Sequence, residues 1–132
     1  MQNKGMRFSG RILARSEKSW LLLNPEEIYW IEANGQGSIL HCGNTKYFIR
    51  SGIRNIEWKL NPQQFIRIHR SCIVNIETIR ELKPRLNRGY DVILEDGTKL
   101  IWSRHYKNRF HFIEETVQII SGAGETVVQN PV

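Results

Sequence analysis

Residues 90–102 read Tyr-Asp-Val-Ile-Leu-Glu-Asp-Gly-Thr-Lys-Leu-Ile-Trp, two β-rich runs joined across Asp96-Gly97. Tight hairpin turns need positive backbone φ angles, which Gly adopts freely and Asp tolerates, so Asp-Gly between such runs is a strong hairpin signal. The segment predicts strands at Tyr90–Leu94 and Lys99–Trp102 flanking Glu95–Thr98, and with them an antiparallel sheet. Ile93-Leu94 and Leu100-Ile101-Trp102 put apolar side chains on both faces, so this hairpin is expected to be covered on both sides.

Strand signals recur along the chain. Arg7–Ala14 alternates loosely, with Gly10 as a bulge. Ser19–Leu23 is a continuous apolar run stopped by Asn24-Pro25, and Glu26–Ala33 reads as a turn leading into a strand. Asn34-Gly-Gln-Gly-Ser38 is a glycine-rich connection. Ile39–Cys42 and Tyr47–Arg50 predict a hairpin around Gly43-Asn44. Phe65–Ile68 and Cys72–Ile76 are two strands, or one strand interrupted at His69-Arg70-Ser71, and Ile79–Lys83 runs into a basic loop, Pro84–Gly89. Ile53, Ile56 and Leu60 recur at helical spacing, with Ser51 as a cap and Asn61-Pro62 as a stop. This helix reads as a lid on a sheet, with Arg54 and Lys59 facing water. Tyr106, Phe110 and Ile113 predict a second short helix over Tyr106–Ile113. The fold class is mainly β with one or two short helices, without internal repeats, and without a linker between residues 7 and 113.

A chain of 132 residues with 40% hydrophobic content is long enough for one domain with a real core. No apolar run approaches the ~20 residues that span a bilayer. No apolar signal core follows Met1, so a cytoplasmic location without a membrane partner is expected. Cys42 and Cys72 lie in or beside apolar strands and read as buried free thiols. The net charge is +6, and its distribution is uneven: all 19 Lys and Arg fall within residues 1–113. Residues 114–132 carry Glu114, Glu115 and Glu125 and no base. They are expected to be an acidic, flexible tail, with a short strand at Thr116–Ile120 the one element it offers.

Cationic residues cluster where strands end. Phe65-Ile-Arg-Ile-His-Arg-Ser-Cys-Ile-Val-Asn75 places Arg67, His69 and Arg70 just before the apolar run Cys72-Ile73-Val74. About thirty residues later Leu100-Ile101-Trp102 runs into Ser103-Arg104-His105. Basic loops on a rigid β scaffold point to phosphate-rich partners. Three loops hold the residue types that bind phosphate or read base edges: Asn34, Gln36 and Ser38; Arg67, His69 and Arg70; Ser103, Arg104, Lys107 and Arg109.

Catalysis is poorly supported. Ser71 beside His69 and Ser103 beside His105 lack an orienting carboxylate. The four histidines and two cysteines show no metal-ligand spacing. Asn34-Gly-Gln-Gly lacks the Gly-Lys-Ser/Thr of a phosphate loop. The chain is expected to be no enzyme and to need no cofactor. Residue chemistry alone leaves open duplex DNA, an RNA-binding module and a protein-interaction β domain. RNA modules stack exposed aromatics on bases. Trp20, Trp30, Trp58 and Trp102 all read as mostly buried, which weighs against RNA.

The order of motifs is more specific. Ile28-Tyr-Trp-Ile-Glu-Ala33, then Phe-x-Arg-x-His-Arg-Ser-x-x-Val-Asn at 65–75, then Leu94-Glu-Asp-Gly-Thr98, then Ser103-Arg-His-Tyr106 resembles the LytTR family of bacterial DNA-binding domains over residues 7–113. The resemblance implies an elongated stack of antiparallel β-sheets whose loops, not a recognition helix, enter successive major grooves of duplex DNA. It also implies a transcription regulator acting as a response-regulator output domain. Two copies, as a homodimer, would bind direct repeats and bend the DNA.

Carried onto this chain, the resemblance makes Arg104 the base-reading candidate. Ser38, in the loop after Glu32-Ala33, falls at a second base contact, and Arg70 falls in a third contact region beside His69 and Ser71. Ser103, Lys107 and Arg109 become phosphate contacts, while Ile73, Val74 and Asn75 belong to the fold. The chain departs from the family pattern at Asn34-Gly-Gln-Gly-Ser38, where an aromatic often follows the Glu-Ala pair. It also lacks a receiver domain, so the chain either acts alone or is a piece of a larger protein, with another chain as the source of any receiver or sensor partner.

Overall fold

The computed structural model describes residues 10–121. Among them the chain forms ten strands and two short α-helices. Strands β1 (Ile12–Arg15) and β2 (Trp20–Leu23) pair as a two-stranded hairpin. β3 (Trp30–Asn34), β4 (Gly37–Cys42), β5 (Thr45–Ile49), β6 (Phe65–His69) and β7 (Cys72–Asn75) form a sheet ordered β5-β4-β3-β7-β6. β8 (Ile79–Pro84), β9 (Tyr90–Leu94) and β10 (Lys99–Trp102) form a third sheet ordered β10-β9-β8. Every pairing is antiparallel. Helix α1 (Ile53–Lys59) joins β5 to β6. A 3-10 segment at Arg104–Arg109 runs directly into helix α2 (Phe110–Thr116).

The five-stranded sheet is the middle layer of a stack, which explains its composition. All four residues of β7 are buried. Ile73 faces a core with Ile28, Ile31, Leu40 and Ile53, closed by the β1–β2 hairpin and α1. Cys72 and Val74 face a second core with Ile68, Val92, Leu94 and Trp102, closed by the three-stranded sheet and α2. A strand covered on both faces must be apolar throughout. Its exception, Asn75, is fully buried but fully bonded: Nδ2 donates to the carbonyls of Ile28 at 2.8 Å and Pro25 at 3.2 Å, and Oδ1 accepts from Glu77 N–H at 3.0 Å. A buried amide is tolerated on those terms.

The Asp96-Gly97 hairpin forms over the expected strands, with a register that sets Leu100 opposite Val92 and Trp102 opposite Tyr90. Its expected double cover does not. Val92, Leu94, Leu100 and Trp102 are buried, whereas Ile101 is 41% exposed. The three-stranded sheet is an outer layer, so only one of its faces has anything to pack against.

Other expectations are corrected by local chemistry. The helix at 53–59 is capped by Gly52 and not by the Ser51 side chain. Gly10 lies before β1, outside the strand, and residues 7–9 lie outside the described residues. Thr116 ends α2, so the strand at Thr116–Ile120 does not form; residues 117–121 have no regular structure. The acidic tail past residue 121 lies outside the described residues. Two of the four tryptophans are exposed, Trp20 at 59% and Trp58 at 78%, while Trp30 is half-buried and Trp102 is at 0%. Trp20 sits on the outward side of β2 under the Arg15 guanidinium, 5.0 Å from the ring centroid. No described helix is long and apolar enough to cross a membrane.

Candidate nucleic-acid interface

Three turns meet at one end of this frame. β3 and β4 are joined by a two-residue turn, Gly35-Gln36, with Asn34 opposite Gly37 and Gly35 at φ 60°. β6 and β7 are joined through Arg70-Ser71, next to a bulge at Arg67–His69. β10 ends at Trp102 and passes through Ser103 to Arg104. Backbone hydrogen bonds tie the three together: Ala33 N–H donates to Ser71 O at 2.9 Å, and Ser103 N–H donates to Ile68 O at 2.8 Å. Turns distant in sequence are thereby held side by side.

The middle turn is braced from inside. Arg67 donates from Nε to His69 O at 2.8 Å and from Nη2 to Arg70 O, so one guanidinium holds both carbonyls of the turn. Its remaining nitrogen, Nη1, donates to Glu57 Oε1 of α1 at 2.7 Å. The other oxygen of Glu57 accepts from Arg109 Nη1 at 3.0 Å, and both guanidiniums lie over the Tyr106 ring, at 5.8 and 5.3 Å from its centroid. The Arg67 side chain is only 11% exposed. Arg67 therefore braces a loop and is no loop contact itself. On the same turn, Ser71 N–H donates to His69 Nδ1 at 3.1 Å and Ser71 Oγ lies 2.9 Å from that nitrogen. Both partners of the imidazole among the described residues are thus in Ser71, so the pair staples the turn; it has no carboxylate to orient a base.

The candidate residues divide by position. Asn34, Gln36, Arg70, Arg104 and Lys107 are exposed, and His69 is half-buried. Arg70, Arg104 and Lys107 have no ion pair among the described residues. Ser103 is half-buried, and its hydroxyl caps the 3-10 segment by accepting from His105 N–H at 3.2 Å. That cap fixes the start of the segment, where Arg104 is the first residue. Arg109 is one-third exposed and paired with Glu57. Ser38 is corrected: it lies inside β4 at 0% exposure and donates its hydroxyl to Ser51 O at 2.8 Å. Gly37 begins that strand, paired with Asn34, and only glycine fits there, since a Cβ would stand 2.5 Å from Phe48 Cζ and 2.6 Å from Ile49 O. The turn is thus shorter than the glycine-rich stretch suggests, and Asn34 and Gln36 are its outward residues.

Sequence reasoning missed Glu57. It reads as a solvated helix residue, and its partners lie 10 and 52 positions away. Only the meeting of α1 with Arg67 of β6 and Arg109 of the 3-10 segment reveals it.

Comparison with known proteins gives the family and the fold. The profile of the LytTr DNA-binding domain matches residues 18–113. The transcriptional regulatory protein LytR of Staphylococcus aureus (strain N315) is 35% identical over 89 residues, covering 67% of this chain and 36% of that protein. The sensory transduction protein LytT of Enterococcus faecalis is 32% identical over 102 residues, covering 77% of this chain and 42% of that protein. The chain thus spans well under half the length of these relatives. A solved LytTr DNA-binding domain of a putative methyl-accepting/DNA response regulator from Bacillus cereus superposes with a TM-score of 0.71 at 19% identity, covering 80% of this chain and 98% of that one, which shows the shared fold. This chain belongs to the LytTR family of DNA-binding domains.

Proposed function

We propose that the chain is the duplex-reading part of a bacterial transcription regulator and that the three joined turns are its DNA surface. The observation that carries this is the backbone tie between them, with Arg70, Arg104 and Lys107, which have no ion pair among the described residues, held exposed at one end. A major groove is ~12 Å wide and admits a protruding turn as well as a helix. Arg104 suits bidentate contact with guanine, and Asn34 and Gln36 suit adenine. Arg70 and His69 lie between these two turns and contact the backbone or groove there. Lys107, Ser103 and Arg109 position the domain on phosphates, which adds affinity but no sequence information.

In this reading the protein binds; it does not catalyse. Repeated half-sites are occupied by two copies, and bending of the intervening DNA adds specificity at positions no side chain touches. The names of the relatives, a transcriptional regulatory protein and a sensory transduction protein, suit a cytoplasmic output domain governed by a receiver or sensor.

Selection from a random duplex pool tests this, with affinity for the winners compared against scrambled DNA at ~150 mM salt. Enrichment of a repeated short motif bound far more tightly than scrambled DNA is expected. Equal binding to all sequences, vanishing with salt, would leave only a basic surface.

A further inference from the structure

A fourth loop shares this end of the molecule. Pro84 pairs with Tyr90, so the Arg85–Gly89 loop closes β8 onto β9; Tyr90 pairs with Trp102, which brings the end of β10 alongside. The approach is close. A Cβ on Gly89 would stand 2.4 Å from Trp102 O and 3.5 Å from Arg104 N. The base of the loop therefore lies against the backbone that delivers Arg104, and at that distance only glycine fits.

The loop is tightly folded. Arg85 N–H donates to Gly89 O at 2.8 Å, Arg88 N–H to Arg85 O at 3.0 Å, and Gly89 N–H to Asn87 Oδ1 at 3.0 Å. Leu86 at its tip is fully exposed.

Its two cations are in different situations. Arg85 Nη1 donates to Asp91 Oδ1 at 2.6 Å, and Lys99 Nζ lies 3.7 Å from Oδ2. The Arg85 hydrogen bond, more than the neighbouring charges, holds the Asp91 carboxyl below its ordinary range. Arg85 is thus compensated within the protein. Arg88 is exposed and has neither an ion pair nor a side-chain hydrogen bond among the described residues. It is also the one non-glycine among them at positive φ, 75°. A left-handed backbone costs an L-residue with a Cβ about 1–2 kcal/mol, and glycine would sit there without strain. A strained position in the row of turns thus holds an uncompensated guanidinium, and strain of this kind clusters at functional sites.

We propose that Arg88 is a fourth DNA contact, clamping a backbone phosphate beside the groove that Arg104 enters. This rests on the reading of that end as the DNA surface. A guanidinium on a rigid turn matches phosphate oxygens bidentately.

The test uses the full chain, the selected duplex and its scrambled version, titrated across salt. R88G removes the charge and relaxes the backbone, so the fold is retained. Loss of one phosphate contact lowers the slope of log K against log salt by ~0.9, which is about fivefold weaker binding at ~0.15 M salt. The loss is expected to be equal on both duplexes, with R88K restoring most of it. R80A removes an exposed arginine near the opposite end of β8 and is expected to match the wild type. An R88G protein with wild-type slope and affinity, alongside an impaired R104A protein, would overturn the proposal and leave the DNA surface standing. An R80A protein as weak as R88G would also overturn it, since loss of net charge alone would then suffice. No binding of the wild type to any duplex would sink both readings.

Discussion

Glu57 Oε1 stands 2.7 Å from Arg67 Nη1, and through that arginine a residue of α1 holds the turn between β6 and β7. The other oxygen of Glu57 is held by Arg109, one of the candidate phosphate contacts. Glu57→Gln keeps the shape and removes a negative charge, which by Coulomb attraction alone would favour binding to phosphate. Specific binding is nevertheless expected to weaken, because Arg67 loses its anchor, while binding to scrambled DNA holds or strengthens. The pair is partly exposed, so the stability cost is about 1–2 kcal/mol. A thermal melt would register this as several degrees, at about 4 °C per kcal/mol for a domain near this size. Tighter specific binding by the variant would remove the positioning role.

Arg104 and Lys107 are three positions apart on one 3-10 segment and are expected to behave differently. Arg104→Ala should cost about 1–3 kcal/mol on the selected site and relax preference at one base pair. Lys107→Ala should weaken selected and scrambled DNA alike and lower the salt slope by about one unit. Titrations on both duplexes at several salt concentrations separate the two. An Arg104→Ala protein equally impaired on both would lose its base-reading assignment.

Ser38 donates its buried hydroxyl to Ser51 O at 2.8 Å, just before the Gly52 cap of α1. Ser38→Ala orphans a carbonyl there, at a cost of about 1–3 kcal/mol. Repeating the duplex selection with the variant should return the same motif from a less stable protein. A changed motif would restore Ser38 as a base contact.

Burial pushes the Cys72 thiol up to about 12 from an ordinary 9.0, with Glu32 adding to the shift and Arg67 opposing it; burial and then Glu27 push Cys42 up to about 11. Only the thiolate is nucleophilic. At pH 8 iodoacetamide should therefore label Cys72 only after unfolding, and Cys42 more slowly than a free thiol. A raised folded-state value also carries a sign. The unfolded chain ionises near pH 9 and the folded chain does not, so this stability is fully present below pH 9 and is lost as pH rises toward about 12. Rapid labelling of Cys72 in the native protein would show that the second core opens.

Local signals alone specified much of this protein. Asp96-Gly97 and Gly43-Asn44 define their own turns, because positive φ is a property of single residues. Ile53 and Leu60 recur at a helical period, and Asn61-Pro62 ends the helix a few positions later. The motif order from Ile28 to Tyr106 identified the family. Tertiary structure decided the rest. Layer order left one face of β9–β10 open to solvent, against the expectation from its two apolar faces. Register put Ser38 inside β4, though the glycines around it resemble a loop. Glu57 met Arg67 and Arg109, and Gly89 came against Trp102 O, only because α1 and the β8–β9 loop pack onto elements distant in sequence. Alternation and turn chemistry act between neighbours, so a sequence displays them. Which turns share an end, and which cations remain unpaired there, depends on hydrogen bonds such as Ser103 N–H to Ile68 O, which exist only once the sheets are stacked.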